Sequence, residues 1–261
     1  MNAHHGQGPF SSLLHNARGA FSTPKIRVYM RTSGAPQQPS RLAINTLFAL
    51  AEVLLPDTED IKLTIPSLEY EGEMWEGMSA IGQGCPRLKR IVVHVKTAGD
   101  QHCFGVDIAP LYNCHHLEHF EIRHPHPLKI DDDDVARMLN SWPVQYLTLN
   151  PRPSVTTELC TPIPTLSTLL IVQQQGPHLV HLGVFLDPRT PGVFGSAPHG
   201  WDCLQILDLG LSSNSQALGE REAAHFIFQS LPPTCEIVAN DCSMWVKYVA
   251  LILSVVLRPD D

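Results

Sequence analysis

The chain has 261 residues, 43% of them apolar and 17% charged, with a formal charge of −8 and a sequence pI near 5.9. That apolar content rules out a disordered chain, and the acidic balance argues against the basic footprint of a nucleic-acid-binding domain. The seven cysteines are scattered without a C-x-x-C pair, so neither a zinc ribbon nor a thioredoxin-like site is indicated, and reduced thiols in the cytoplasm or nucleus are expected.

In chain order, residues 1–22 show no sustained period and lack the apolar run of a secretory signal. They are expected to be a flexible tail, and His4-His5 is read as part of it rather than as a metal site. Residues 23–28 form a first, weak strand candidate in which only Ile26 and Val28 are apolar. A Pro/Ser/Gln loop follows at 33–40, after which Ser40 can cap a helix carrying Leu42, Leu47, Phe48, Leu54 and Leu55. Pro56 and Asp57 end that helix, and residues 58–63 form the next strand.

Met74, Trp75, Met78 and Ile81 repeat at helical spacing, closed by Gly82 and Gly84. Cys85-Pro86-Arg87 then turns into a strand at 88–93. A short helical piece near 106–112 precedes a strand at 117–122. The run Asp131-Asp132-Asp133-Asp134 lacks the D-x-D-x-D-G spacing of a calcium loop. It stands instead at the start of the stripe Val135, Met138, Leu139 and Trp142, where acids complement the helix N-terminal dipole. Pro143 ends this helix and 144–149 is its strand. Residues 150–164, rich in Pro, Thr and Ser, read as an inserted loop. Leu166, Leu169 and Leu170 mark a short helix, Gly176-Pro177 a turn, and 179–184 a strand. After a loop at 187–200, residues 204–209 form the clearest strand. A helix over 220–231 stops at Pro232-Pro233, a degenerate strand occupies 234–239, and an apolar helix runs from Trp245 to Leu257. That last stretch is 13 residues, below the roughly 20 of a transmembrane span, and Lys247 interrupts it.

The strands share one pattern, apolar at the first, fourth and sixth positions, as in Leu204-x-x-Leu207-x-Leu209. The pattern begins at residues 23, 58, 88, 117, 144, 179, 204 and 234. Recurrence of L-x-x-L-x-L at about 20–29 residues is the mark of a leucine-rich-repeat solenoid. The expected fold is therefore α/β: a horseshoe with a parallel sheet on its concave face and helices on its convex face. Residues 23–243 would hold about 7–8 irregular repeats, with 244–261 as a closing helix and tail. The outer repeats fit worst, as capping units should.

Stacking of the first, fourth and sixth positions leaves the third, fifth and seventh on the concave face. Arg90, His94, His119, Glu121, Arg123, Tyr146, Thr148, His181, Phe185 and Asp208 are the candidate binding residues there. Their mixture of charge, histidine and aromatics suits a protein partner. No catalytic residue, cofactor or metal is indicated. The histidine-rich stretch 115–126 lacks H-E-x-x-H spacing, and His119 with Glu121 offers too few ligands for a closed zinc site. G-x-S-x-G and phosphate-cradling glycine motifs are missing as well.

With the repeats placed, the chain resembles the leucine-rich-repeat region of fungal F-box proteins of the mushroom lineage. The resemblance rests on Gly84-Cys85-Pro86-Arg87-Leu88, on 133–149 with Trp142-Pro143, on Gly176-Pro177-His178-Leu179-Val180-His181-Leu182, and on the 204–209 pattern. The end pattern of helix, Pro-Pro, short strand and a helix from Trp245 to Arg258 belongs to it too. It implies a non-catalytic interaction scaffold, the substrate-recognition part of a ubiquitin-ligase receptor. The F-box that would dock the ligase adaptor is not visible in residues 1–22. A membrane-tethered interaction protein anchored by residues 245–257 is the alternative, and an enzyme of unknown type the third reading.

Overall fold

Each repetition of the apolar pattern becomes a β-strand, and each strand opens two residues into its pattern. In a computed structural model of the chain, the described residues are 25–29, 56–68, 72–98, 104–154, 163–187, 201, 203–211, 231–232 and 234–239. The strands in question are β1 (Lys25–Tyr29), β2 (Asp60–Leu68), β3 (Arg90–Ala98), β5 (His119–Arg123), β7 (Tyr146–Leu149), β8 (His181–Leu186), β9 (Ile206–Leu211) and β10 (Glu236–Ala239). They form one eight-stranded sheet in sequence order, and every neighbouring pair is parallel. The register is in line throughout: Asp60, Arg90, His119, Tyr146, His181, Ile206 and Glu236 are successive partners. The chain is therefore of the α/β class.

Parallel neighbours need crossovers. Among the described residues these are α1 (Gly72–Gly84), a 3-10 turn (Ala109–Asn113), α2 (Asp132–Ser141) and α3 (Ser167–Gln175). They pack in the same order as the strands, α1 on the 3-10 turn, the turn on α2, and α2 on α3. The return to the sheet follows a common form. The N–H groups of Leu88, Leu117, Leu179 and Leu204 each donate to the carbonyl three residues back. The carbonyls of Glu59, Lys89, Glu118, Gln145 and Val180 each then accept from the two residues opening the next strand, at 2.8–3.1 Å. These bonds set the register through the backbone alone.

The pattern positions are the core. Leu88, Ile91, Val93, Leu117, Phe120, Ile122, Leu147, Leu182 and Leu207 are all fully buried. They join Met78, Ile81, Leu111, Val135, Met138, Leu169 and Val172 from the helical layer in a single apolar cluster. Each fully buried leucine contributes roughly 1.5–3 kcal/mol. Trp142 locks the layers together: its ring lies 5.4 Å from Phe120 and 5.6 Å from Tyr112, and its Nε1–H donates to the Leu111 carbonyl at 3.1 Å.

The four aspartates act at a helix start, as their position predicts. Asp131 caps α2 by accepting from the Asp134 N–H at 2.8 Å, and Asp134 returns the bond to the Asp131 N–H at 3.3 Å. Asp132 has a role the sequence does not suggest. It accepts from the Thr165 N–H at 2.8 Å, from the Thr165 hydroxyl at 2.6 Å and from the Thr168 hydroxyl, which ties the start of α3 to α2.

Two details sharpen or add to the expected elements. The helical piece near 106–112 is a 3-10 turn of five residues, because Pro110 stands at its start and the chain turns again at Cys114. A small second sheet also appears, pairing β4 (Phe104–Gly105) with β6 (Leu128–Lys129). The expected tail at 1–22, the helix over 42–55, all but Leu231 of the helix over 220–231, and the closing segment 244–261 lie outside the described residues. Within those residues, no helix is long and apolar enough to cross a membrane.

Candidate functional site

With alternate residues committed to the core, the opposite face of the sheet carries the third, fifth and seventh pattern positions. The in-line register sets them in rows. Arg90, His119, Tyr146, His181 and Ile206 form one row, and Val92, Glu121, Thr148, Gly183 and Asp208 the next. The candidate residues are thus on one face, but they do not share one environment.

Glu121 is the electrostatic centre. Its Oε1 is 3.0 Å from His94 Nε2 and 2.7 Å from Arg123 Nε, and its Oε2 is 3.6 Å from His119 Nε2. The side chain is only 14% exposed, so these partners replace most of its water. His119, with His94 and Arg123, holds its carboxyl well below the usual carboxylate range, against the opposing effect of burial. His119 also stacks on Tyr146, with ring centroids 5.2 Å apart and planes 27° apart, and Tyr146 lies 6.3 Å from His181. Burial lowers the pKa of His181, which favours its neutral form. Tyr146 itself is 39% exposed, the exposed large apolar side chain among the described residues. An aromatic row beside a fixed carboxylate is a surface on which a partner side chain can both pack and hydrogen-bond.

Two candidates must be reassigned. Thr148 and Phe185 were expected to face solvent, and both are buried. The cause is the segment after β7. Asn150 has φ 47°, a left-handed conformation that asparagine tolerates better than most residues. Its side chain accepts from the His124 N–H at 3.0 Å and donates to the His126 carbonyl at 2.7 Å. The turn sends Pro151 over Gly183 and Gly210, where an added Cβ would meet Pro151 Cγ at 3.3 Å and the Pro151 carbonyl oxygen at 1.6 Å. Phe185 forms a second small apolar cluster with Ile163. Gly210 is needed for that close approach.

The same segment brings in residues that the sequence pattern does not nominate. Arg152 Nε and Nη2 donate to Asp208 Oδ1 at 3.3 and 3.1 Å. A cleft of about 270 Å³ opens at the C-terminal ends of the strands, lined among others by Lys96, Arg123, Asn150, Arg152 and Asp208. His124, on its wall, has its Nδ1 engaged by the His126 N–H at 3.0 Å, and burial lowers its pKa to about 4. Lys96 lies late in β3 and Arg152 three residues past the end of β7, both outside the six-residue motif, so only their closeness to the seventh position could have drawn attention.

His94, His119 and Glu121 are a potential ligand set, yet the Arg123 guanidinium lies on the same carboxylate oxygen as His94 and opposes a cation there. Among the described residues no group of three His, Cys, Asp or Glu side chains could hold a metal ion. Cys85, Cys114, Cys203 and Cys235 are free thiols; Cys85 and Cys114 are buried, which pushes both up to about 11. These two have the character of packing residues, not nucleophiles. No protein-family model matches the chain, nor does any curated protein or solved structure resemble it closely enough to count as a match.

Proposed function

We propose that the chain is a leucine-rich-repeat solenoid acting as a non-catalytic protein-binding scaffold, with the open face of the sheet as its docking surface. The observation that carries this reading is the row His119, Tyr146 and His181 beside the Glu121 cluster. It is an exposed tyrosine flanked by two imidazoles on a rigid sheet, with its charges already paired within the protein. Tyrosine and arginine anchors of this kind dominate protein interfaces. Unbroken register over eight strands and the repeated two-donor connection support the repeat architecture. Within the resemblance to F-box receptors, such a face would take the substrate, in the cytoplasm or nucleus.

Affinity purification of the full chain with mass spectrometry tests this. A partner retained by the unchanged protein and by Arg87→Ala, but lost on Tyr146→Ala, is the expected outcome. Arg87 is an exposed control that pairs with Asp57 at 2.8 Å, in the turn before β3. Recovery of a ubiquitin-ligase adaptor in the same sample would favour the receptor role. Retention of every partner by Tyr146→Ala would remove this face as the docking surface.

A further inference from the structure

The cleft at the strand ends is built from opposite choices to the rest of the molecule. The chain carries a formal charge of −8, yet three cations, Lys96, Arg123 and Arg152, line one small cleft against a single lining carboxylate, Asp208. Both guanidinium groups are already oriented by a carboxylate on the open face of the sheet, each by a different one. Arg123 uses Nε on Glu121 at 2.7 Å, and Arg152 uses Nε and Nη2 on Asp208 at 3.3 and 3.1 Å. Among the described residues, neither Nη of Arg123 nor Nη1 of Arg152 has a protein acceptor, and Lys96 has none either. Forks held in place on one edge lose little entropy when the other edge binds, and their planar donors match an oxyanion.

Size narrows the ligand. About 270 Å³ is below the roughly 300–1,000 Å³ of whole small-ligand sites, so the cleft suits a single charged group. Its floor is also fixed: Asn150, locked in its left-handed turn by the His124 N–H and the His126 carbonyl, sets where Arg152 stands.

We propose that this cleft is an oxyanion seat in which Lys96, Arg123 and Arg152 together receive one phosphoryl or carboxylate group. The source of that group, a side chain of the bound protein, rests on the scaffold reading above; the seat itself does not. Full-length protein is titrated separately with inorganic phosphate and with acetate, at constant ionic strength, by calorimetry or by NMR of the arginine Nε–H signals. Saturable binding is expected. Lys96→Met and Arg152→Met should each weaken it, Arg152→Met by about tenfold or more. Asp208→Asn should tighten it, because the carboxylate that competes for Arg152 becomes neutral. Thermal melts without added anion show that each variant is folded.

The two titrations separate the sources. Binding of phosphate well above acetate assigns a phosphorylated side chain, and comparable binding assigns an acidic one. Absence of saturable binding for both anions, or binding indifferent to all three substitutions in folded protein, overturns the seat. Intact phosphate binding with no partner recovered in the affinity experiment would overturn the scaffold reading alone.

Discussion

Glu121 and His124 show how two side chains a few residues apart respond to acid in separate windows. The folded state holds the Glu121 carboxyl below its ordinary value of 4.5, so its contribution is complete above that pH. It declines as pH falls further, because the unfolded chain then takes up the proton more readily. Glu121→Gln should cost about 1–3 kcal/mol at pH 7, and its gap from the unchanged protein should narrow between pH 5 and 3 in urea unfolding. A gap independent of pH would contradict the ion-pair account. His124 works higher. Burial keeps it neutral down to about 4, whereas its ordinary value is 6.5. Falling pH between those values favours the unfolded chain, by up to about 1.4 kcal/mol per pH unit. His124→Asn, which keeps an acceptor near the His126 N–H, should flatten stability across pH 6.5–4 in the same experiment.

At the scale of elements, alternate positions of one strand have opposite fates. Leu147 and Leu207 are fully buried in the shared cluster, while Asp208 sits on the other face, held by Arg152. Leu147→Ala and Leu207→Ala should each cost about 2–5 kcal/mol. Asp208→Ala removes a pair whose arginine is half exposed, worth no more than about 1 kcal/mol. Melting temperatures separate them: a fall of about 5–15 °C for each leucine variant, against about 3 °C or less for Asp208→Ala. Equal falls in all three would contradict the division of faces. The helices were legible for a related reason. The stripe from Val135 to Trp142 and the acids before it carry both the buried face and the cap of α2. The short helical piece near 106–112 is present as a 3-10 helix at Ala109–Asn113, a type the sequence leaves open because three or four apolar residues look alike in an α-helix and a 3-10 turn. Pro110 and the length available decide between them.

On the scale of the whole molecule, the order and direction of the strands follow from the recurring pattern, but the covering of the open face does not. Residues 150–164 read as an inserted loop, and their composition is that of one. In the fold, Pro151 lies against Gly210 so closely that a methyl group has no room. Gly210→Ala should therefore push this segment off β9 and lower the melting temperature by about 3–10 °C. It should also abolish phosphate binding, since Arg152 moves with the segment. An unchanged melt would mean that the contact is not held in solution.

The sequence by itself determined which strand residues form the apolar spine, how many strands the recurring pattern makes and that neighbours run parallel. Those features depend on a local period, and burial of apolar side chains is read directly from it. Only the tertiary structure decided which members of the open face stay open. Thr148 and Phe185 have the same pattern positions as Glu121 and Arg123, yet they are buried: the turn at the left-handed Asn150 lays Pro151 over Gly183 beside Thr148, and Ile163 packs on Phe185. Nor does any period bring Lys96, Arg123, Arg152 and Asp208 around one cleft. They come from four crossings of the chain, and their meeting depends on where each segment ends and turns, which no repeat encodes.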